Sequence, residues 1–140
     1  MVLDLTSLSE AVGSLQRALG VACSEDKMSK LDEDQKNTIR AGVIQNFEFT
    51  YELCWKFMRR WLNENLTPGL MEGVSRRELF RYAAENNLIS DVNRWSDFHD
   101  ARNKTSHTYG NEIAIEVFDV AKEFFKDAQL LLEALEKKNN

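Results

Sequence analysis

The chain has 140 residues, 43% hydrophobic and 29% charged, with one proline, six glycines and a formal net charge of −5. That length supports one core burying roughly 68–70% of the unfolded surface, and the scarcity of proline and glycine favours long helices over a many-turned β fold. The acidic balance argues against a constitutive nucleic-acid coat protein, and no stretch approaches the ~18 uninterrupted apolar residues of a membrane span.

Five helical segments follow in chain order. In the first, residues 5–23, Leu5, Leu8, Val12, Leu15, Leu19 and Ala22 recur at spacings of three and four, which makes one apolar stripe. Ser7 with Glu10 has the form of a capping box, and the polar run Ser24 to Lys30 reads as a loop. The second segment is long, residues 33–64, with Asp32 and Gln35 as its start signal. On a helical projection Glu48, Glu52, Lys56, Arg59 and Asn63 share one narrow polar strip. Phe47, Tyr51, Cys54, Met58, Trp61 and Leu62 form one apolar face, and Phe49, Leu53 and Phe57 form another. A helix apolar over so much of its circumference needs more than one neighbour. Either its own bundle covers it, or a second protomer covers part.

Pro68, Gly69 and Gly73 mark a loop. Ser75 with Glu78 opens a short helix over residues 76–87, which Asn86 and Asn87 suit as an end. Ser90 is the expected N-cap of the fourth helix, residues 91–106, with Val92, Trp95, Phe98 and Ala101 or Arg102 facing inward. Gly110 and Asn111 separate it from the last helix, residues 112–137, whose pattern runs from Ala114 through Phe118, Ala121, Phe125 and Leu132 to Leu135. The expected fold is all-α: an antiparallel up-and-down four-helix bundle with one extra short helix.

The two cysteines, Cys23 and Cys54, fall in apolar helical patterns, where a small buried thiol is the common case. There is no CxxC or Cys/His zinc spacing, no histidine-rich metal site, and no Gly-rich phosphate loop. No metal and no cofactor are expected, nor a signal peptide, and the default compartment is a reduced cytoplasm. Charge is uneven: residues 55–105 carry nine Lys/Arg and seven Asp/Glu against the acidic whole. That permits either a local basic site or ordinary solvated helix faces.

Both histidines lie in the stretch His99 to Tyr109, the most polar part of an otherwise apolar bundle. His99, Arg102 and Ser106 share one helix face, and Asn103 is four residues from both His99 and His107. Arg102 and His107 are five apart, about 140° round an ideal helix. They converge on one phosphate only if the helix ends near His107 or a second protomer supplies one of them. An arginine fork grips phosphate, histidine titrates near neutrality, and the Asn103 amide can orient the ring or bond a phosphoryl oxygen. The set suits metal-free RNA cleavage, with His107 as general base or acid and Arg102 stabilising developing charge. A surface pair or a helix C-terminal cap is the plainer reading of the same residues. Glu48 and Glu52 either hold Arg102 by a salt bridge or face solvent, with Glu52 paired to Lys56. Tyr51, Trp55, Trp61 and Trp95 are candidates for core packing, or for stacking on bases.

Arg102-Asn103-Lys104-Thr105-Ser106-His107-Thr108-Tyr109 matches the R-x4-H-x-Y form of the HEPN signature. The segment Phe47 to Lys56 resembles the corresponding helix of the nucleotidyltransferase substrate-binding proteins, and the resemblance runs from about residue 5 to residue 135. It implies one HEPN-like helical domain over residues 1–140. It also implies a homodimer with its Arg/His motifs facing a shared cleft, and a minimal nucleotidyltransferase partner. For the toxin–antitoxin members it further implies an RNase toxin that acts on RNA, with Arg102, Asn103 and His107 catalytic and His99, Glu52 and Glu48 in support. Such a toxin is silenced when its partner adds AMP to the motif tyrosine, here Tyr109. No membrane or DNA partner is expected. Two alternatives stand beside this: a non-catalytic subunit that binds nucleotide or substrate for the nucleotidyltransferase, and a structural dimeric adaptor.

Overall fold

The computed structural model describes residues 2–105 and 110–139. Six helices form among them: α1 (Thr6–Ala22), α2 (Glu25–Met28), α3 (Glu33–Asn65), α4 (Arg76–Glu85), α5 (Val92–Thr105) and α6 (Asn111–Lys138). The one unexpected element is α2, a single turn within the stretch read as a loop. Ser24 caps it by accepting from the Lys27 amide at 3.2 Å, and Glu25 and Asp26 place carboxylates in its first turn.

The helix starts are set by short polar side chains. At α3 the capping box is reciprocal: Asp32 Oδ1 accepts from the Gln35 amide at 2.8 Å, and Gln35 Oε1 accepts from the Asp32 amide at 3.0 Å. Ser75 likewise accepts from the Glu78 amide at the start of α4. Two expected caps are corrected. At α1, Asp4 Oδ1 takes the Thr6 amide at 3.0 Å, which leaves Ser7 inside the helix. At α5, Asp91 rather than Ser90 does the capping, accepting from the Asn93 and Arg94 amides at 2.9 and 3.2 Å. An ionised carboxylate is the stronger acceptor for amides at the positive end of a helix. Helix α4 ends at Glu85, short of the end its pattern predicts, and Asn87 beyond it takes φ 61°, a left-handed conformation that asparagine tolerates.

Long-range contacts fix the topology. Ser14 meets Asn46, and Thr50 meets Ala11, so α1 and α3 are antiparallel. Tyr51 meets His99, and Glu48 meets Thr105, so α3 and α5 are antiparallel. Arg94 meets Asp127, and Lys104 meets Glu116, so α5 and α6 are antiparallel. Asn139, at the end of α6, bonds the Leu3 backbone at the start of α1 through both its donor and its acceptor. The four long helices thus run up, down, up and down, and α4 packs against α3 and α5. No helix among the described residues is long and apolar enough to cross a membrane.

Phe124 of α6 is the centre of the core. Its ring meets Phe47, Phe98, Trp95 and Tyr51 edge-on, with centroids 5.0, 5.2, 5.8 and 6.4 Å away, geometries favoured by the ring quadrupoles. Tyr51 and Trp95 are therefore core residues, while Trp55 and Trp61 are half-buried. The Cys54 thiol is fully buried, whereas Cys23 is exposed at the end of α1, against expectation. Of the two apolar faces of α3, the first is covered by the bundle. The second is uneven: Phe57 is buried, Leu53 half-buried, and Phe49 61% exposed.

Candidate functional site

The last turn of α5 lies against the polar strip of α3. Glu48 and Glu52, one turn apart on α3, both reach Arg102 of α5. Glu48 Oε2 lies 3.2 Å from Arg102 Nη1, and Glu52 Oε1 lies 3.5 Å from Arg102 Nε. Each carboxylate is itself anchored. Trp55 Nε1–H donates to Glu52 Oε2 at 3.0 Å. Thr105 Oγ1 lies 2.9 Å from Glu48 Oε2 and 2.7 Å from the Arg102 carbonyl oxygen, so its one proton is shared between two acceptors. All three charged side chains are about a quarter to a third exposed. At that depth two carboxylates hold the guanidinium between them by charge, although its Nε makes no hydrogen bond among the described residues, and that charge is only partly screened by water. Of the two readings left open for Glu48 and Glu52, the structure adopts the salt bridge to Arg102.

A second set of contacts joins this cluster to the core. Tyr51 is fully buried, yet its Oη lies 2.8 Å from His99 Nδ1. Arg76, the first residue of α4, donates from Nη1 to Tyr51 Oη at 3.1 Å and stacks on the Trp55 ring, its Cζ 3.7 Å from the centroid. On the far side of the imidazole, Nε2 lies 3.3 Å from Asn103 Nδ2. Burial pushes the Tyr51 phenol above its ordinary pKa, with Arg76 opposing, so it stays a neutral hydroxyl. Burial, and then the Arg76 charge, hold the His99 imidazole below its ordinary pKa, with Asp100 and Glu52 opposing. That environment favours the uncharged ring, which turns one nitrogen inward and the other toward Asn103.

Asn103, His99, Tyr51, Arg76, Trp55, Glu52, Arg102, Glu48 and Thr105 thus form one continuous chain of contacts across α3, α4 and α5. It brings together five sequence-predicted residues: Arg102, Asn103, His99, Glu48 and Glu52. His107 and Tyr109 lie outside the described residues, as does Ser106. Sequence reasoning missed Arg76, which carries no local signal beyond the Ser75 cap, and the polar roles of Tyr51 and Trp55. Among the described residues no group of three or more His, Cys, Asp or Glu side chains is placed to hold a metal ion.

Comparison with known proteins gives consistent findings. The sequence model of the family described as "Nucleotidyltransferase substrate binding protein like" matches residues 3–137. The chain is 32% identical over 138 residues to the Haemophilus influenzae protein named "Probable ribonuclease HepT", covering 98% of this chain and 94% of that one. Its fold is similar to that of HI0074 from Haemophilus influenzae, whose structure is described as revealing the fold of a substrate binding domain of a nucleotidyltransferase. There the TM-score is 0.91 at 31% identity, over 95% of this chain and 99% of the other. A crystal structure of a Thermus thermophilus protein is similar at a TM-score of 0.71 and 26% identity, over 91% and 98% of the two chains.

Proposed function

Because the chain belongs to the nucleotidyltransferase substrate binding protein like family, we propose that it works in the cytoplasm beside a minimal nucleotidyltransferase, as a metal-independent ribonuclease silenced at Tyr109. The observation that carries this reading is Arg102, held by Glu48 and Glu52 at the end of the helix that leads into His107. A guanidinium held between two carboxylates is placed for the extra negative charge that develops on the phosphoryl oxygens when a ribose 2′-hydroxyl attacks phosphorus. His107 supplies proton transfer, and Asn103 offers an amide to a phosphoryl oxygen. The relative named as a ribonuclease, alike over nearly the whole chain, supports the same chemistry. AMP attached to Tyr109, two residues from His107, would place bulk and a phosphate where RNA binds, competing for Arg102.

The test is cleavage of a mixed RNA pool in EDTA by the purified protein and by its His107→Ala variant, with intact mass reporting whether Tyr109 is modified. Cleavage by the unmodified protein that is lost in the variant is the expected result. No cleavage by protein with free Tyr109 removes the reading.

A second reading keeps the partner and drops the cleavage: a subunit that binds nucleotide or substrate for the nucleotidyltransferase. The likeness to HI0074 favours it. In that case Arg102→Ala weakens ligand binding, and His107→Ala leaves it close to wild type.

A further inference from the structure

We propose that His99 is the second proton-transfer residue of the cleft, with Nε2 as its reactive nitrogen and Tyr51 and Arg76 as the positioning residues behind it. This rests on the ribonuclease reading and deepens it.

Metal-free cleavage by a 2′-hydroxyl moves two protons: one leaves the attacking oxygen, and one joins the departing 5′ oxygen. In an in-line displacement those oxygens lie on opposite sides of phosphorus, so two groups share the work. The chain has two histidines, His99 and His107. His99 lies three residues before Arg102 on α5, on the same helix face. Its ring has the arrangement of a histidine held for proton transfer. Nδ1 is engaged by a buried oxygen, Tyr51 Oη at 2.8 Å, and Nε2 points to the exposed Asn103. The hydroxyl behind it is fixed in turn by Arg76 at 3.1 Å, and Arg76 by its stack on Trp55. Residues of three helices thus hold one imidazole, Tyr51 at Nδ1, Asn103 at Nε2 and Arg76 through Tyr51, which fixes the orientation of the ring.

The protons balance. The reactive form is the tautomer with its proton on Nδ1, donated to Tyr51 Oη; its Nε2 lone pair is then the basic site, and the Asn103 amide donates to it. As the 2′ oxygen bonds to phosphorus, its proton passes to His99 Nε2. The bond from phosphorus to the 5′ oxygen breaks, and that oxygen takes a proton from protonated His107. The products are a 2′,3′-cyclic phosphate and a 5′-hydroxyl, and both rings then exchange protons with water. In that tautomer the Nδ1–H to Tyr51 bond is kept when Nε2 gains its proton.

The groups facing His99 decide the sign of its response. From α4 comes the positive charge of Arg76, from α3 the neutral Tyr51 and the carboxylate of Glu52, and on α5 itself Asp100. The acids of α6 that meet α5 pair with other residues, Glu116 with Lys104, and Glu123 and Asp127 with Arg94. Arg76 disfavours the imidazolium, so its removal raises the pKa of His99.

The experiment measures kcat/KM against pH on an RNA substrate for the wild type, Arg76→Gln, Arg76→Lys and His99→Gln. Beside it runs an NMR titration of the two imidazole signals, which the His99→Gln variant assigns. Circular dichroism checks that each variant is folded. We expect the acidic limb to follow the His99 signal. Both move to higher pH in Arg76→Gln and return toward wild type in Arg76→Lys, which restores the charge. His99→Gln loses the limb and about 10²- to 10⁴-fold in rate. A limb that stays in place while the His99 signal moves overturns the proposal, as does wild-type cleavage by His99→Gln. Either leaves the ribonuclease reading intact. No cleavage by wild type with free Tyr109 overturns both.

Discussion

Arg102 sits between two carboxylates, and its environment sets how strongly it can hold an anion. Glu48 and Glu52 orient the guanidinium and also offset its charge, so a bound phosphate must compete with them. Glu48→Gln keeps the shape and the Thr105 contact but removes one charge. It should therefore tighten binding of inorganic phosphate, read by isothermal calorimetry. It should also cost up to about 1 kcal/mol of stability in urea unfolding, the scale of a partly exposed ion pair. Unchanged phosphate affinity would mean that Arg102 does not meet the anion. The sequence placed Arg102, Asn103 and His99 together because all three lie within five residues of one helix, where spacing fixes the face. It could not place Tyr51 against His99 or Arg76 against Tyr51. Those contacts span 48 and 25 residues and depend on how whole helices dock.

At the level of elements, the bundle is held in register by its caps as much as by its stripes. Where a partner stood three residues on, as Gln35 for Asp32 and Glu78 for Ser75, local spacing was enough to read the helix start. Where two candidates stood side by side, as at Ser90 and Asp91, the choice turned on which side chain reaches the first free amides, a matter of backbone geometry. The consequence is measurable because α5 carries the site. Asp91→Ala removes the acceptor for two amides and should cost about 1 kcal/mol. Ser90→Ala should stay within about 0.5 kcal/mol, as an exposed substitution without a structural bond usually does. Urea midpoints of the two variants decide it, and a larger loss at Ser90 would return the cap to that residue. The same logic covers α2: a four-residue turn has no periodicity to read, so only its Ser24 cap distinguishes it from the loop the sequence suggests.

For the whole molecule, the open question in the sequence was what covers the second apolar face of α3, and the fold sharpens it. The bundle absorbs the face only in part: Phe57 is buried but Phe49 is 61% exposed, and on α6 Ile115 is 63% exposed. Each is next in sequence to a carboxylate that meets the end of α5. Glu48, beside Phe49, holds Thr105, and Glu116, beside Ile115, holds Lys104. Large exposed apolar side chains next to residues that meet the end of α5 suit contact with a second copy of the chain. We therefore expect a homodimer, with a mass by light scattering of twice that of the chain. Phe49→Asp, which sets a carboxylate in the contact, should yield a folded monomer. Its RNA cleavage should fall with the loss of the shared cleft, while the His99 titration stays put, because the Tyr51 and Arg76 contacts lie within one chain. A wild-type monomer at the same concentration would assign this face to the nucleotidyltransferase instead, and Phe49→Asp would then weaken that complex.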